Sequence, residues 1–301
     1  MRAAMGGIQA YAQRATDSQR LALALVITVV YFFAELVGGL LTNSLALLSD
    51  AGHMFSDIAS LGLSLFAFQM ARRPATPKKT YGYHRLEILA ALINGLALWL
   101  IVGAIFNEAY RRFSNPPEVQ GVGMLVVAAI GLAVNVAAGW ILLGCDRQSL
   151  NIRGALLHVI GDALGSVGAV VAAIVMLLTG WYLADPLVSF GIGLLILYTS
   201  WDLVRESVDI LMQSVPRGID AAQVQRAMEQ VPGVVKIHDL HVWSVTSGVF
   251  TLSAHAVIRP DGHAHAILDQ IEDRLKNDFA IEHTTIQLET EDREGKEFQA
   301  F

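Results

Sequence analysis

The sequence predicts an α-helical membrane protein: six transmembrane helices followed by a C-terminal cytoplasmic α+β domain. Three observations predict it. Of 301 residues, 54% are hydrophobic and only 16% charged, with a mean hydropathy of +0.49, whereas soluble domains carry about a quarter charged residues. Six apolar segments follow one another over 21–208, each near or above the ~20 residues that cross hydrocarbon. Beyond residue 209 the apolar runs stop, and acidic residues crowd this last third of a chain whose net charge is −6.

The first twenty residues form an arm rather than a signal peptide, because Arg14, Asp17 and Arg20 interrupt them before the first apolar run. The apolar segments run over about 21–41, 45–71, 84–112, 117–144, 152–180 and 184–208. Thr42-Asn43-Ser44 is the whole link between the first two, so they form an antiparallel hairpin. Trp181 and Tyr182 fit a membrane–water interface, and Asp185-Pro186 fits the start of the sixth helix. Arg2, Arg14 and Arg20, the loop residues Arg72, Arg73, Lys78, Lys79 and Arg85, and then Arg147 and Arg153 all fall on one side. Positive residues favour the cytoplasm, so both termini are expected inside, in a cell inner (plasma) membrane. Arg111 and Arg112, on the other side, are the exception.

After residue 209 the expected order is αββαβ. Val215-Pro216-Arg217-Gly218 breaks the last membrane helix, and Ile219 to Val231 then reads as an amphipathic helix. Val235 to Val245 and Val249 to Ile258 read as strands around a Thr-Ser-Gly turn. His263 to Phe279 is a second helix and Thr284 to Glu289 a third strand, with helices on one face of the sheet. The domains are thus 1–20, 21–208, 209–290 and a charged, loose tail over 291–301.

The chemistry concentrates in two places within the membrane segments. His53 and Asp57, and again His158 and Asp162, are four residues apart, which stacks each pair on one helix face. If the two helices face each other, two imidazoles and two carboxylates converge, a group suited to tetrahedral zinc. Ionisable groups deep in a membrane cost about 2.5–3.5 kcal/mol each on insertion scales, so a doubled motif points to function rather than to interhelical bonding alone. The single cysteine, Cys145, excludes an intrachain disulfide and a thiolate-rich cluster, and its own reading is a small apolar residue near a helix end. No GxxxxGK[ST] phosphate loop is present, against an ATP-driven pump. Glu35, Asn43, Asp50, Asn94, Glu108 and Asn135 are further polar residues in the apolar segments, and Asp50 sits one turn before His53.

The segments Leu45 to Asp57 (LALLSDAGHMFSD), Ser149 to Gly168 (SLNIRGALLHVIGDALGSVG) and Ile237 to Ser244 (IHDLHVWS) resemble the cation diffusion facilitator family. Within it they are most similar to the zinc branch that includes bacterial cobalt-zinc-cadmium resistance antiporters and vertebrate zinc transporters. The resemblance implies a transport site of His53, Asp57, His158 and Asp162, a ferredoxin-like cytoplasmic domain, a homodimer, and metal-for-proton exchange by alternating access. In the soluble domain it implies metal ligands at His238, His255, His283 and Glu289, with His241 and His265 in reserve, while Asp50, in the second membrane segment, is an accessory candidate along the route to the outside. His238 and His241 cannot share one strand face unless a bulge intervenes. The loop from Arg72 to His84 offers only His84, so no separate loop site is expected, and the absence of a His-rich loop over 144–153 points to a bacterial-type protein.

The expected function is therefore a zinc/proton antiporter exporting divalent metal from the cytoplasm. Its partners are zinc ions, protons, the lipid bilayer and a second copy of the chain, with no nucleic acid. Zn2+ is the transported substrate and a candidate ligand of the soluble domain. A passive metal channel or uptake carrier is the alternative. An intramembrane metalloenzyme lacks an additional general base such as the Glu of HExxH, so no enzymatic activity is expected.

Overall fold

The computed structural model describes residues 2–71, 73–143, 150–260 and 263–290. Cys145 with its loop, Arg147, and the tail 291–301 lie outside the described residues. The chain divides into two compact units, Met1–Leu61 with Asn94–Trp201 and Gly62–Ile93 with Asp202–Phe301.

Six long helices come first: α1 (Arg2–Thr42), α2 (Leu45–Ala71), α3 (Arg85–Ser114), α4 (Gly121–Leu143), α5 (Leu150–Thr179) and α6 (Ala184–Leu211). Among the described residues, five stretches are long and apolar enough to cross a membrane: Ala22–Thr42 of α1, α3, α4, Leu156–Thr179 of α5, and α6. The 27-residue α2 is the helix that carries Asp50, His53 and Asp57. α1 begins far before the apolar run that marks it in the sequence. No proline interrupts residues 2–20, and Ala, Gln and Arg in that stretch favour helix. Asn43 ends the helix in the left-handed region at φ +59°, a conformation Asn tolerates, and the Ser44 amide donates back to the Gly39 carbonyl at 3.1 Å.

Close packing in the first unit depends on small residues. Ala128, Ala172 and Ala173 are fully buried beside Leu47, Met124 and Met176. α1 and α4 approach closely at two glycines. A Cβ on Gly38 would lie 2.7 Å from Val127 Cγ2, and one on Gly131 would lie 2.0 Å from Tyr31 Oη. No larger residue fits either place without displacing its neighbour.

Asp185, a helix-start residue in the sequence, has a second task in the fold. Its carboxylate is wholly buried and accepts from Ser44 Oγ at 2.7 Å and from the Leu45 and Ala46 amides at 2.8 and 3.1 Å. It therefore caps the start of α2 from across the bundle, where orphan amides and the positive helix end favour an anion. Arg112 Nη1 lies 3.4 Å from the same carboxylate. Arg112 also donates to the Asn43 carbonyl at 2.7 Å, to Asn43 Oδ1 at 3.1 Å and to Glu108 Oε1 at 3.0 Å. Its charge is thus neutralised within the protein, so this exception to the charge asymmetry carries no topological weight.

The second unit contains α7 (Ala221–Glu229), β1 (Val234–Thr246), β2 (Val249–Ile258), α8 (Ala264–Phe279) and β3 (Ile281–Glu289). The sheet order is β1-β2-β3, with β1 and β2 antiparallel and β2 and β3 parallel. The parallel step needs a crossover, which α8 supplies. Asp220 caps α7 through the Ala222 amide at 2.9 Å. Val224 and Met228 of α7 and Ile267, Ile271 and Leu275 of α8 pack on Ile237, Leu252, Ala254, Ala256 and Ile281. β3 starts earlier than its sequence pattern suggests. Ala280 closes α8 at φ +56° without a glycine to mark the turn, and the buried Ile281 pairs at once with Phe250. In the same unit Thr246 Oγ1 donates to Glu87 Oε2 of α3 at 2.7 Å, and the Tyr81 ring stands edge-on to His283 at 5.8 Å.

Removing one member of a buried ion pair costs about 3–5 kcal/mol, because the partner is left charged and unpaired. Asp185→Ala should therefore lower the melting temperature of the detergent-solubilised protein sharply, while Arg111→Gln, at an exposed position, should leave it near wild type. Equal melting of the two variants would refute the capping role.

Candidate metal centres

α2 and α5 present their polar residues to each other. His53 Nε2 lies 3.8 Å from Asp57 Oδ2 and 3.8 Å from Asp162 Oδ1. His158 Nε2 lies 3.4 Å from Asp57 Oδ2 and 3.5 Å from Asp162 Oδ2. Nitrogen and oxygen thus alternate around a ring in which each imidazole faces both carboxylates. A zinc tetrahedron with bonds of about 2.0–2.2 Å has edges of about 3.3–3.6 Å, and these four separations, 3.4–3.8 Å, are close to that scale. His53, His158 and Asp162 bring ligand atoms within 4.8 Å of one another, and Asp57, outside that trio, lies within 3.8 Å of both imidazoles. Asp57 Oδ2 is buried with no hydrogen-bond partner, as suits a donor reserved for a cation. Side-chain exposure rises from 6% at Asp162 to 41% at His158, so the ring is closed on one side and open on the other.

Two polar pairs steady the helices beside the ring. Ser56, adjacent to Asp57, donates to Asn94 Oδ1 of α3 at 3.0 Å, and Asn135 Nδ2 of α4 donates to Ser166 Oγ of α5 at 3.2 Å. Both pairs are buried, and each satisfies donor and acceptor at once. Asn94 and Asn135 thus bond between helices instead of joining the ring. Asp50 is buried but contributes no atom to the ring.

The second cluster lies on the sheet. Leu252, Ala254 and Ala256 face the helices, so His255 faces the other way. His238 is paired with His255, whereas His241 is paired with Ser253. Three steps on β1 match two on β2, which defines a bulge, and Asp239 occupies it at φ +49°. The bulge puts both histidines on one face. His238 Nε2 lies 3.4 Å from Glu289 Oε2, and His255 Nδ1 lies 3.6 Å from Glu289 Oε1. These three residues bring ligand atoms within 4.8 Å of one another. Two imidazoles and a buried carboxylate fit three positions of a tetrahedral zinc and leave a fourth open.

Burial works against charge on Glu289, but a 2.6 Å hydrogen bond from Gln287 and the neighbouring His255 and His238 outweigh it. The net effect holds the carboxyl below its usual range, so it stays ionised and ready to take a cation throughout neutral pH.

Two sequence expectations need correction here. His283 does not reach the cluster. It is six residues from Glu289 along β3, roughly 20 Å at strand rise, and it packs against Tyr81 instead. His265 is an exposed residue of α8 and is not part of the cluster. The sequence reading also passed over Asp239, whose Oδ1 is 3.0 Å from His241 Nε2 and whose Oδ2 is 3.9 Å from His255 Nε2. An Asp between two histidines in a strand was the available signal, because Asp is enriched at positive φ.

Comparison with known proteins agrees over nearly the full chain. Residues 21–212 match the cation efflux transmembrane domain, and residues 216–291 match the cation efflux protein cytoplasmic domain. The "Cadmium, cobalt and zinc/H(+)-K(+) antiporter" of Bacillus velezensis is 48% identical over 280 residues, which span 91% of this chain and 89% of that protein. The "Zinc transporter ZitB" of Escherichia coli is 44% identical over 276 residues, 91% of this chain and 88% of that one. A solved structure, "Metal-bound C-terminal domain of the CzcD transporter from Cuprividus metallidurans", is 36% identical and covers 24% of this chain and 99% of that one, at a TM-score of 0.23. With its motifs and both domains accounted for, the chain belongs to the cation efflux family.

Proposed function

We propose that this chain is a zinc/proton antiporter that exports divalent metal from the cytoplasm by alternating access, through six membrane-spanning helices with both termini inside the inner membrane. It is a transporter and not an enzyme. The observation that carries the reading is the alternating nitrogen–oxygen ring of His53, Asp57, His158 and Asp162, with edges of 3.4–3.8 Å.

Charge compensation gives the mechanism. With neutral imidazoles the ring holds two carboxylate charges, and metal binds only such deprotonated ligands. One divalent ion cancels those charges, and so do two protons. The loaded and protonated rings are both neutral, so either is tolerated in hydrocarbon, while an empty ionised ring is costly there. The ring therefore changes access filled by one cargo or the other, which couples metal efflux to proton entry without a nucleotide.

Two imidazoles and two carboxylates select zinc, cobalt or cadmium over magnesium and calcium, and the names of the relatives fall in the same group. We read the soluble αββαβ unit as a ferredoxin-like dimerisation domain of a homodimer. His238, His255 and Glu289 are the residues that would hold a cytoplasmic zinc there, a Lewis-acid cross-link that ties β1, β2 and β3 together.

In inverted membrane vesicles, zinc uptake should require an imposed proton gradient and fall at least about 100-fold in Asp57→Ala and His158→Ala. Undiminished uptake in both variants would end the antiporter assignment, and uptake indifferent to the gradient would make the protein a passive channel. In full-length protein carrying Asp57→Ala and Asp162→Ala, calorimetry should still detect one zinc per protomer, lost on adding His255→Ala. Titration without stoichiometric binding would remove the cytoplasmic site.

A further inference from the structure

Glu35 belongs neither to the metal ring nor to the Arg112–Asp185 contact, yet it is 1% exposed in the interior of the first unit. Tyr31 Oη, one helical turn before it, lies 3.2 Å from Glu35 Oε1 and 3.2 Å from the Val127 carbonyl of α4. That hydroxyl occupies the space left by the missing side chain of Gly131, so the placement is built into two helices. Glu35 Oε2 is buried and has no hydrogen-bond partner. The buried Asp50 of α2 is its charged neighbour. On α2, Asp50 stands one helical turn before His53 of the ring.

Among the described side chains, no lysine or arginine is paired with either carboxyl. The ionisable groups that face it are Tyr31 on α1, Asp50 with His53 and Asp57 along α2, and Asp162 with His158 on α5, while α4 has no ionisable residue. Two buried carboxyl groups, one with an oxygen left without a hydrogen-bond donor, make a site for a small hard cation.

We propose that Glu35 and Asp50 form a second cation site, which holds a proton while the metal ring is empty and releases it when metal loads. A hydrogen on Glu35 Oε2 supplies what that atom lacks and removes one charge from the interior. Asp50 lies one turn from His53, so a divalent ion in the ring opposes the proton on the pair. By reciprocity the proton opposes the metal to the same degree. The site thus adds a coupling ion to those displaced from the ring itself. It rests on the antiport reading and extends it, since the residues that move the proton are not the ones that hold zinc.

The test uses full-length protein with His255→Ala, which silences the cytoplasmic cluster, in proteoliposomes reporting internal zinc and pH. Glu35→Gln and Asp50→Asn should each still carry zinc, and each should move about one proton fewer per zinc than the parent. If transport is too slow to follow, proton release on zinc binding in detergent should fall by the same amount. A parent that couples zinc to protons, with both variants keeping its ratio, would overturn the proposal. A parent that moves no protons would sink the antiport reading instead. Variants that keep the proton ratio but lose their response to an opposing K+ gradient would assign the site to an alkali cation and overturn the proton assignment. Folded variants with parental melting that bind no zinc would make these residues zinc ligands, which also overturns it.

Discussion

Charge inside hydrocarbon must be compensated, and the polar interior of this protein can be sorted by how each group meets that demand. Asp185 and Arg112 meet it permanently: the carboxylate takes three donors from the start of α2 in addition to the guanidinium. That arrangement has nothing to exchange. In the four-residue ring between α2 and α5, the carboxylates face two imidazoles and, among the described residues, no lysine or arginine. On the proposed reading it takes its compensating charge from a divalent ion or from protons. The contrast between a satisfied carboxylate and an unsatisfied ring, both buried in one bundle, separates structure from transport.

The soluble unit solves a different problem. Its sheet buries one face under α7 and α8, and the opposite face carries His238, His255 and Glu289. His238 and His255 are direct cross-strand partners, and a break in strand regularity at Asp239, whose positive φ accompanies a register shift, turns His241 to the same face. A regular strand would have aimed His238 and His241 at opposite faces. The same unit includes Thr246 bonded to Glu87 in the first turn of α3, so the hairpin end is anchored by a side chain from the helical part of the chain.

Much of this was legible in the sequence, because the informative signals are local. A His-x-x-x-Asp spacing on a helix determines which side chains share a face, so the ring could be read without knowing how α2 and α5 pack. Apolar run length likewise marked the long helices, and period-two alternation marked β1 and β2. The failures are all tertiary. Nothing near Asp185 announces that it caps a helix about 140 residues earlier in the chain. Arg112 stood out as an exception to the charge asymmetry because its partners Asn43 and Asp185 are distant in sequence. His283 was expected in the cluster on the family resemblance alone, and the early start of β3, which Ala280 gives no glycine to mark, sets it six residues from Glu289.

The most direct test of the central claim is the coordination of bound zinc. Full-length protein carrying His238→Ala and His255→Ala would be loaded with one zinc per protomer and studied by X-ray absorption at the zinc edge. The account predicts a four-coordinate shell of two imidazole nitrogens and two carboxylate oxygens at about 2.0–2.2 Å. A six-coordinate oxygen shell, or a spectrum unchanged when Asp57 and Asp162 are replaced by Ala, would contradict it.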